Sequence, residues 1–221
     1  MLAKNLISEA VPVIKLSDTG QKALACMEIF RISHLPVVQE KAYIGLISDR
    51  FIEDLNLNEI ILETLNVPLP TPHVHPQQHI YEIASLMDKY GLSLVPVADE
   101  DHTYLGSITL QDLCKHLTKF LSIHEPGGVI ILHAAANNYS ASQISQIVEG
   151  NDARILSLLV NKIDDSGNLE ITVKIDQVDS SAVIQTFTRY GYEISAVYMD
   201  DSMLSSMYED RMELLLRYMN I

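Results

Sequence analysis

The sequence LPVVQEKAYIGLISDRF at residues 35–51 is matched by LVPVADEDHTYLGSITLQD at residues 94–112. Each stretch contains a short apolar run with a proline, a polar turn, a second apolar run with a glycine, and then Ser or Thr. Pro36 lies 60 residues before Pro96, and after a one-residue insertion Gly45 corresponds to Gly106. Self-similarity at a fixed spacing is typical of a repeated folding unit, so the first half of the chain is predicted to contain two copies of one unit.

An amphipathic helix is predicted before the matched stretch in each copy. Its apolar residues in the second copy follow the spacing i, i+3, i+4, i+7, which places them on one helix face. The residues of this face are Ala23, Leu24, Met27 and Phe30 in copy one, and Ile80, Ile83, Ala84 and Met87 in copy two. Each copy is therefore predicted to be strand–helix–strand–strand–helix, with Ser48 and Thr109 as N-caps of the last helices.

The repeated motif resembles the cystathionine β-synthase (CBS) domain. Its features are an apolar residue before Pro and Val, and then Gly, two further residues, Ser or Thr, and an acidic or amide residue three positions on. CBS domains occur in tandem pairs, as this repeat does, and the resemblance covers about residues 1–120. It implies one module at residues 1–60 and a second at residues 61–122.

The resemblance also implies a ligand site at the turn between strand and helix. In the family, the Ser or Thr hydroxyl and the first helix amides receive a nucleotide phosphate, and the motif carboxylate binds the ribose hydroxyls. Copy two has both groups, Thr109 and Asp112, whereas copy one has Ser48 but Phe51 in place of the carboxylate. We therefore expect one adenosyl site, at Thr109 and Asp112. The backbone near Val74, Val95 and Pro96 is expected to contact the base. Without a ligand, Thr109 and Asp112 would simply cap the helix, and this alternative stays open.

Three histidines, His73, His75 and His79, form an H-x-H-x3-H pattern at the start of copy two. Closely spaced histidines occur in metal sites, but no Cys lies nearby, and we predict no metal here. A solvated loop is one alternative. Another is that His73 and His75 lie on the phosphate side of the nucleotide, where an imidazolium would offset the negative charge of the chain.

The second half is predicted to fold as a ferredoxin-like βαββαβ domain over residues 126–200, after a turn at Gly127 and Gly128. Its pattern comprises the strand VIILHAAA, a helix in SASQISQIVEG, a strand at 153–163, the alternating LEITVKI, a helix capped by Ser180 or Ser181, and the strand YEISAVYM. Residues 201–221 are predicted to form a C-terminal helix. The fold class is thus α/β (α+β).

The run NNYSASQISQIVEGNDARILSLLVN at 137–161 resembles ACT domains, regulatory modules that often bind amino acids at dimer interfaces. Such domains usually have a Gly at the first strand-to-helix turn, which lets a ligand approach the backbone. Here the turn is Asn137 to Ser140, so capping and dimer contact are favoured over amino-acid binding. The order of modules resembles the acetoin-utilisation family of CBS–ACT proteins.

Composition excludes several function classes. The 221 residues include 15 Lys and Arg against 29 Asp and Glu, a net charge of −14. This argues against binding to nucleic acid or to an anionic membrane. No apolar run reaches the roughly 18–20 residues of a membrane span, and the N-terminal sequence lacks a signal-peptide pattern, so a cytoplasmic location is expected. Cys26 and Cys114 are expected to be reduced, buried thiols.

No catalytic constellation is apparent, and the sequence is therefore predicted to be a non-catalytic regulatory protein that senses an adenosyl nucleotide. The resemblance implies AMP, ADP, ATP or S-adenosylmethionine as ligand, no required cofactor, a homodimer, and an unidentified target enzyme. Two alternatives remain. One is an oligomerisation scaffold without ligand. The other is an accessory subunit that binds an amino acid at the ACT-like interface.

Overall fold

The computed structural model describes residues 1–8, 10–64, 67–163 and 167–199. The chain divides into two compact units, one from Met1 to Phe120 and one that begins at Leu121. Copy one contains α1 (Gly20–Phe30), β1 (His34–Gln39), β2 (Ala42–Ser48) and α2 (Asp49–Asp54). Copy two contains α3 (Ile80–Tyr90), β3 (Leu94–Ala98), β4 (Tyr104–Thr109) and α4 (Leu110–Phe120). Short 3-10 turns lie at Ala3–Asn5 and Leu62–Thr64.

The two copies form equivalent antiparallel hairpins, β1 with β2 and β3 with β4. Pro36 pairs with Leu46, and Pro96 pairs with Ser107. Each hairpin has its register shift at the same place, after Val37 or Val97, so the repeat extends to the irregularities of the strands.

The predicted leading strand of each copy is reduced to a single parallel bridge, Ile14 to Val37 and Val74 to Val97. The Ile14 amide donates to the Pro36 carbonyl at 2.9 Å, and the Ile14 carbonyl accepts from the Val38 amide at 2.8 Å. The prolines just upstream, at positions 12 and 72, have no amide proton to extend this ladder. The prediction of a leading strand is therefore wrong beyond this one bridged residue in each copy.

The leading segments of the two copies cross over to each other's hairpin. The Ser8 amide donates to the Ser107 carbonyl at 2.9 Å, and the Leu46 amide donates to the Pro70 carbonyl at 2.8 Å. A Cβ on Gly106 would lie 2.3 Å from Ile7 Cγ2, and a Cβ on Gly45 would lie 2.5 Å from Leu69 Cβ. The repeated glycines are thus explained by the close approach of the crossing segments.

Two apolar cores lie under the hairpins, because the inward-facing residues of each copy pack against its own helices. Copy one buries Ile14, Ala23, Met27, Leu35, Val37, Ile47 and Ile52. Copy two buries Val74, Ile80, Ile83, Met87, Leu94, Val95, Val97 and Ile108, and Leu46 of copy one joins this core.

The second unit contains β5 (Val129–Ala135), α5 (Ala141–Glu149), β6 (Ile155–Lys162), β7 (Asn168–Ile175), α6 (Ser181–Arg189) and β8 (Glu193–Tyr198). These strands form an antiparallel sheet in the order β6-β7-β5-β8, and the βαββαβ prediction is confirmed. The helices cover one face of the sheet, where Ile144, Val183 and Phe187 pack against Ile130 and Ile171. The predicted helix at 201–221 lies outside the described residues.

Two local predictions need correction. Ser140 caps α5 by accepting from the Gln143 amide at 3.3 Å, but Ser180 makes no such bond at α6. The Asp179 carboxylate accepts from the Ser181 amide at 3.1 Å instead, since a carboxylate caps a helix as well as a hydroxyl does.

Both cysteines are free, Cys26 is half-buried, and Cys114 is exposed, so the prediction of a buried thiol is wrong for Cys114. No helix among the described residues is long and apolar enough to cross a bilayer.

Candidate functional site

The strand-to-helix turn of copy two holds Thr109 and Asp112 together. The Thr109 Oγ1 accepts a hydrogen bond from the Asp112 amide at 3.0 Å and donates its proton to Asp112 Oδ2 at 2.7 Å. Lys115 Nζ lies 3.5 Å from the other carboxylate oxygen. The Asp112 side chain is about a quarter exposed, at 24%. A ligand hydroxyl could therefore reach this carboxylate, in competition with Thr109.

Val74, Val95 and Pro96 lie at the centre of copy two. The side chains of Val74 and Val95 belong to its core, and Pro96 is also buried. The Pro96 carbonyl accepts from the Val74 amide at 3.0 Å, and the Val74 carbonyl accepts from the Ala98 amide at 3.1 Å. These backbone groups already make hydrogen bonds between strand segments. A base could therefore contact them only through the remaining carbonyl lone pairs or by van der Waals contact.

The structure divides the three predicted histidines between two places. His73 and His75 have ring centroids 5.3 Å apart, and His102 lies 5.5 Å from His73. His79 instead caps α3, where its Nδ1 accepts from the Tyr81 amide and its own amide donates to Glu82. Sequence reasoning missed His102 because it is in the β3–β4 turn, with a left-handed backbone (φ 58°). In the described ranges no group of three or more His, Cys, Asp or Glu is arranged to hold a metal ion.

A cavity of about 560 Å³ lies at the corresponding turn of copy one. Its lining includes Ser48, which caps α2, and Phe51 of α2. Leu86 and Tyr90 of α3 and His73 also line it. The Ser48 Oγ accepts from the Phe51 amide at 3.1 Å, as predicted for a cap. The structure thus brings His73 together with Ser48 and Phe51, and neither Thr109 nor Asp112 lines this cavity.

His34 also lines the copy-one cavity and is held by Ser93. Its Nδ1 lies 3.1 Å from Ser93 Oγ and accepts from the Ser93 amide at 3.3 Å. Burial is the main cause that lowers the pKa of His34; the Asp49 carboxylate acts against this shift and Arg50 acts with it. The ring is therefore neutral at pH 7. Sequence reasoning missed His34, because its equivalent in copy two is the apolar Leu94.

The second unit has a cavity of about 520 Å³ where β5 ends and β8 begins. Asn138 of the predicted ligand turn lines it, together with His133, Gln143 and Glu193. The Tyr192 hydroxyl donates to Gln143 Oε1 at 2.9 Å, which joins α5 to the start of β8. Most of the side chains that line this cavity are polar, in contrast to those that line the copy-one cavity.

Comparisons with known proteins identify the class of the first unit. The CBS domain family model matches residues 3–50 and 66–119, one match for each copy. The first unit therefore contains a tandem pair of CBS domains, as the repeat predicts. The matches end before the second unit, whose ACT-type assignment and acetoin-utilisation resemblance stay predictions.

Similar proteins were found by sequence and by structure. Inosine-5'-monophosphate dehydrogenase from Helicobacter pylori is 30% identical over 91 residues, which is 40% of this chain and 18% of the dehydrogenase. The chain thus spans less than a fifth of that relative. A CBS domain pair/ACT domain protein from Thermotoga maritima has a TM-score of 0.47 and 22% identity. The match covers 55% of this chain and 99% of the Thermotoga maritima chain. CBSX2 in complex with AMP has a TM-score of 0.44 and 19% identity, covering 54% and 97%.

Proposed function

We propose that this is a non-catalytic, cytoplasmic regulatory protein whose CBS pair binds an adenosyl nucleotide at Thr109 and Asp112. The observation that supports this most is the hydroxyl–carboxylate pair, held at 2.7 Å where β4 meets α4. The 11-residue helix α4 begins immediately after Thr109. A hydroxyl at a helix N-terminus and a nearby carboxylate are groups that bind the phosphate and the ribose of a nucleotide.

The binding mode follows from the chemistry of each group. The Thr109 hydroxyl, at the N-terminus of α4, would face the phosphate, while Asp112 would accept hydrogen bonds from the ribose. The backbone near Val74, Val95 and Pro96 would border the base. We do not place His73 and His75 on the phosphate side of this nucleotide. The two rings are 5.3 Å apart, and His73 lines the copy-one cavity, which neither Thr109 nor Asp112 lines.

Regulation would arise from a difference in affinity between two arrangements of the protein. A nucleotide that binds one arrangement more tightly shifts the population towards it, by no more than that difference in affinity. We propose a two-fold homodimer as the unit that changes, and a separate enzyme as the target.

Two other functions have specific support. The Thr109–Asp112 hydrogen bonds form a complete helix cap without a ligand, which favours an oligomerisation scaffold. The cavity at Asn138 and Gln143 favours an accessory subunit that binds an amino acid in the ACT-like unit. In either case the CBS pair would not respond to adenosyl compounds.

A thermal-stability screen separates these functions. The full chain is heated with AMP, ADP, ATP, S-adenosylmethionine or each amino acid. A bound ligand at 100 times its dissociation constant adds about 2.7 kcal/mol of stability. We expect this gain with an adenosyl compound, its loss in Asp112→Ala, and its retention in Asp88→Ala, an exposed carboxylate on α3. No shift with any adenosyl compound at millimolar concentration would exclude the proposal.

A further inference from the structure

Three histidine rings of the first unit lie close together, although one of them is distant from the other two in the sequence. The ring centroids are 5.3 Å apart for His73 and His75, and 5.5 Å apart for His73 and His102. We propose that this histidine cluster binds a divalent transition-metal ion, with His73 and His75 as ligands, His102 as a third imidazole within reach, and water in the remaining positions. The inference does not depend on the nucleotide site at Thr109 and Asp112.

The backbone places His73 and His75 on one side of an extended segment. Val74, between them, pairs with Val97 in a parallel bridge, and its side chain is buried, with 1% exposed. Side chains alternate along an extended chain, so the two histidines point away from the core that Val74 enters. His73 is half-buried and His75 is exposed, so an ion can reach both rings from solvent.

The separation of these two rings suits two ligands of one ion. A ring nitrogen bonded to a metal at about 2.1 Å puts the ring centre about 3.2 Å from the ion, so two ligating rings at a tetrahedral angle have centres roughly 5 Å apart. The 5.3 Å between His73 and His75 is close to this value. Because three ligating groups do not converge anywhere in the part of the chain that the structure describes, we expect two imidazoles on the ion and water elsewhere.

His73 is oriented as a metal-ligating histidine is. Its Nδ1 lies 2.9 Å from the Thr71 carbonyl oxygen. A carbonyl can only accept, so Nδ1 donates in both protonation states of the ring, and Nε2 is the nitrogen left for an ion. Ligating histidines usually make this second hydrogen bond, which fixes the direction of the ring. The arrangement requires no particular protonation state, since a bound metal displaces any proton from Nε2.

Tyr43 of β2 connects the turn that contains His102 to the segment that contains His73. Its amide donates to the His102 carbonyl at 2.9 Å, and its hydroxyl donates to the Pro72 carbonyl at 2.9 Å. Its ring centroid is 5.8 Å from that of His73. Because these contacts hold the histidine cluster in place before an ion binds, less conformational entropy is lost on binding.

The ligand type determines the class of metal. Imidazole suits Zn²⁺, Ni²⁺ and Cu²⁺, whereas Mg²⁺ and Ca²⁺ prefer oxygen ligands. Affinity for nitrogen ligands generally rises from Ni²⁺ to Cu²⁺, which makes Cu²⁺ the most sensitive probe. A chain of net charge −14 also attracts cations. The sequence pattern alone did not indicate this site, because His79 of that pattern caps α3 and His102 lies outside it.

Titration of the full chain, without an affinity tag, with Cu²⁺, Ni²⁺ or Zn²⁺ tests this inference. We expect one Cu²⁺ per chain, bound at least about tenfold more weakly by His73→Gln and by His75→Gln, and about threefold more weakly by His102→Gln. Electron paramagnetic resonance of the Cu²⁺ complex should show two nitrogen ligands. The matched control is His79→Asn, which removes a histidine of the same sequence pattern but keeps an N-cap for α3, and it should bind as tightly as wild type.

Unfolding curves recorded without metal show whether each variant is folded, and the exposed position of His75 makes His75→Gln the variant that should change the fold least. The inference is overturned if wild type binds none of the three ions when they are in excess. It is also overturned if His75→Gln binds Cu²⁺ as tightly as wild type, or if His79→Asn loses binding to the same extent as His75→Gln.

Discussion

Copy one and copy two of the CBS pair use the same backbone arrangement for different chemistry. At each turn a hydroxyl accepts from the amide three residues on: Ser48 from Phe51 at 3.1 Å, and Thr109 from Asp112 at 3.0 Å. In copy two the carboxylate of Asp112 accepts a hydrogen bond from that hydroxyl. In copy one the ring of Phe51 lines a mainly apolar cavity instead. In both copies the hydroxyl therefore caps the turn, while the residue three positions later, Asp112 or Phe51, gives the turn different chemistry.

The largest expected effect concerns the glycines on which the crossing segments pack. Gly106 has φ +144°, and an added Cβ would clash with Ile7. Gly45 has no positive φ, but its Cβ would clash with Leu69 Cβ and lie 3.0 Å from the Pro70 carbonyl oxygen. We expect Gly106→Ala to destabilise the protein by about 3 kcal/mol and Gly45→Ala by about 2 kcal/mol. Gly91→Ala is the control, since it has positive φ but open space, and it should cost about 1 kcal/mol. Urea denaturation measures all three, and equal losses would contradict the crossover.

The sequence predicted the repeat, both hairpins and the caps Ser48 and Thr109, because these depend on local patterns such as β-branched runs and a hydroxyl before a helix. It could not predict that Ile7 packs on Gly106 or that His102 joins His73. These contacts join residues far apart in the chain, and only the crossover and a left-handed turn bring them together. The copy-one cavity was missed for a related reason. The copy-one motif supplies Ser48 and Phe51 to that wall, and α3 and the leading segment of copy two supply others.

The next effect separates the phosphate group from the rest of the ligand. Thr109→Val removes the hydroxyl at the start of α4 but keeps the size of the side chain. We expect AMP to bind about tenfold more weakly, and adenosine to change less than about threefold, because the hydroxyl faces the phosphate. Titration calorimetry with both ligands measures the difference. Equal weakening of AMP and adenosine binding would show that the Thr109 hydroxyl contacts the ribose and not the phosphate.

A smaller effect is expected for the cap of copy one. Ser48→Ala should destabilise the protein by about 1 kcal/mol, since the Phe51 amide loses its acceptor. Ser140→Ala, which removes the corresponding cap of α5, is the matched control and should cost a similar amount. Chemical denaturation gives both values. A negligible loss for Ser48→Ala alone would show that the turn of copy one does not depend on its hydroxyl.

The smallest effect is the pH dependence that His34 gives to copy one and that Leu94 cannot give to copy two. Burial lowers the folded-state pKa of His34 below its usual value of 6.5. The unfolded chain therefore binds the proton at higher pH, so this contribution is present above about pH 6.5 and is lost as the pH falls through the folded-state pKa. Thermal unfolding between about pH 7 and pH 5 should show a smaller decrease in Tm for His34→Leu than for wild type. An equal decrease in both would assign the acid sensitivity to other groups.

The central claim is that copy two binds the adenosyl nucleotide and copy one does not, because copy two has Asp112 where copy one has Phe51. The number of AMP molecules bound per chain tests this claim most directly. Titration calorimetry should give one AMP per chain for wild type and for Phe51→Ala, and no binding for Asp112→Ala, whose unfolding curve should otherwise resemble that of wild type. Binding of AMP to Asp112→Ala with wild-type affinity, or its loss in Phe51→Ala alone, would contradict the claim and place the nucleotide in copy one.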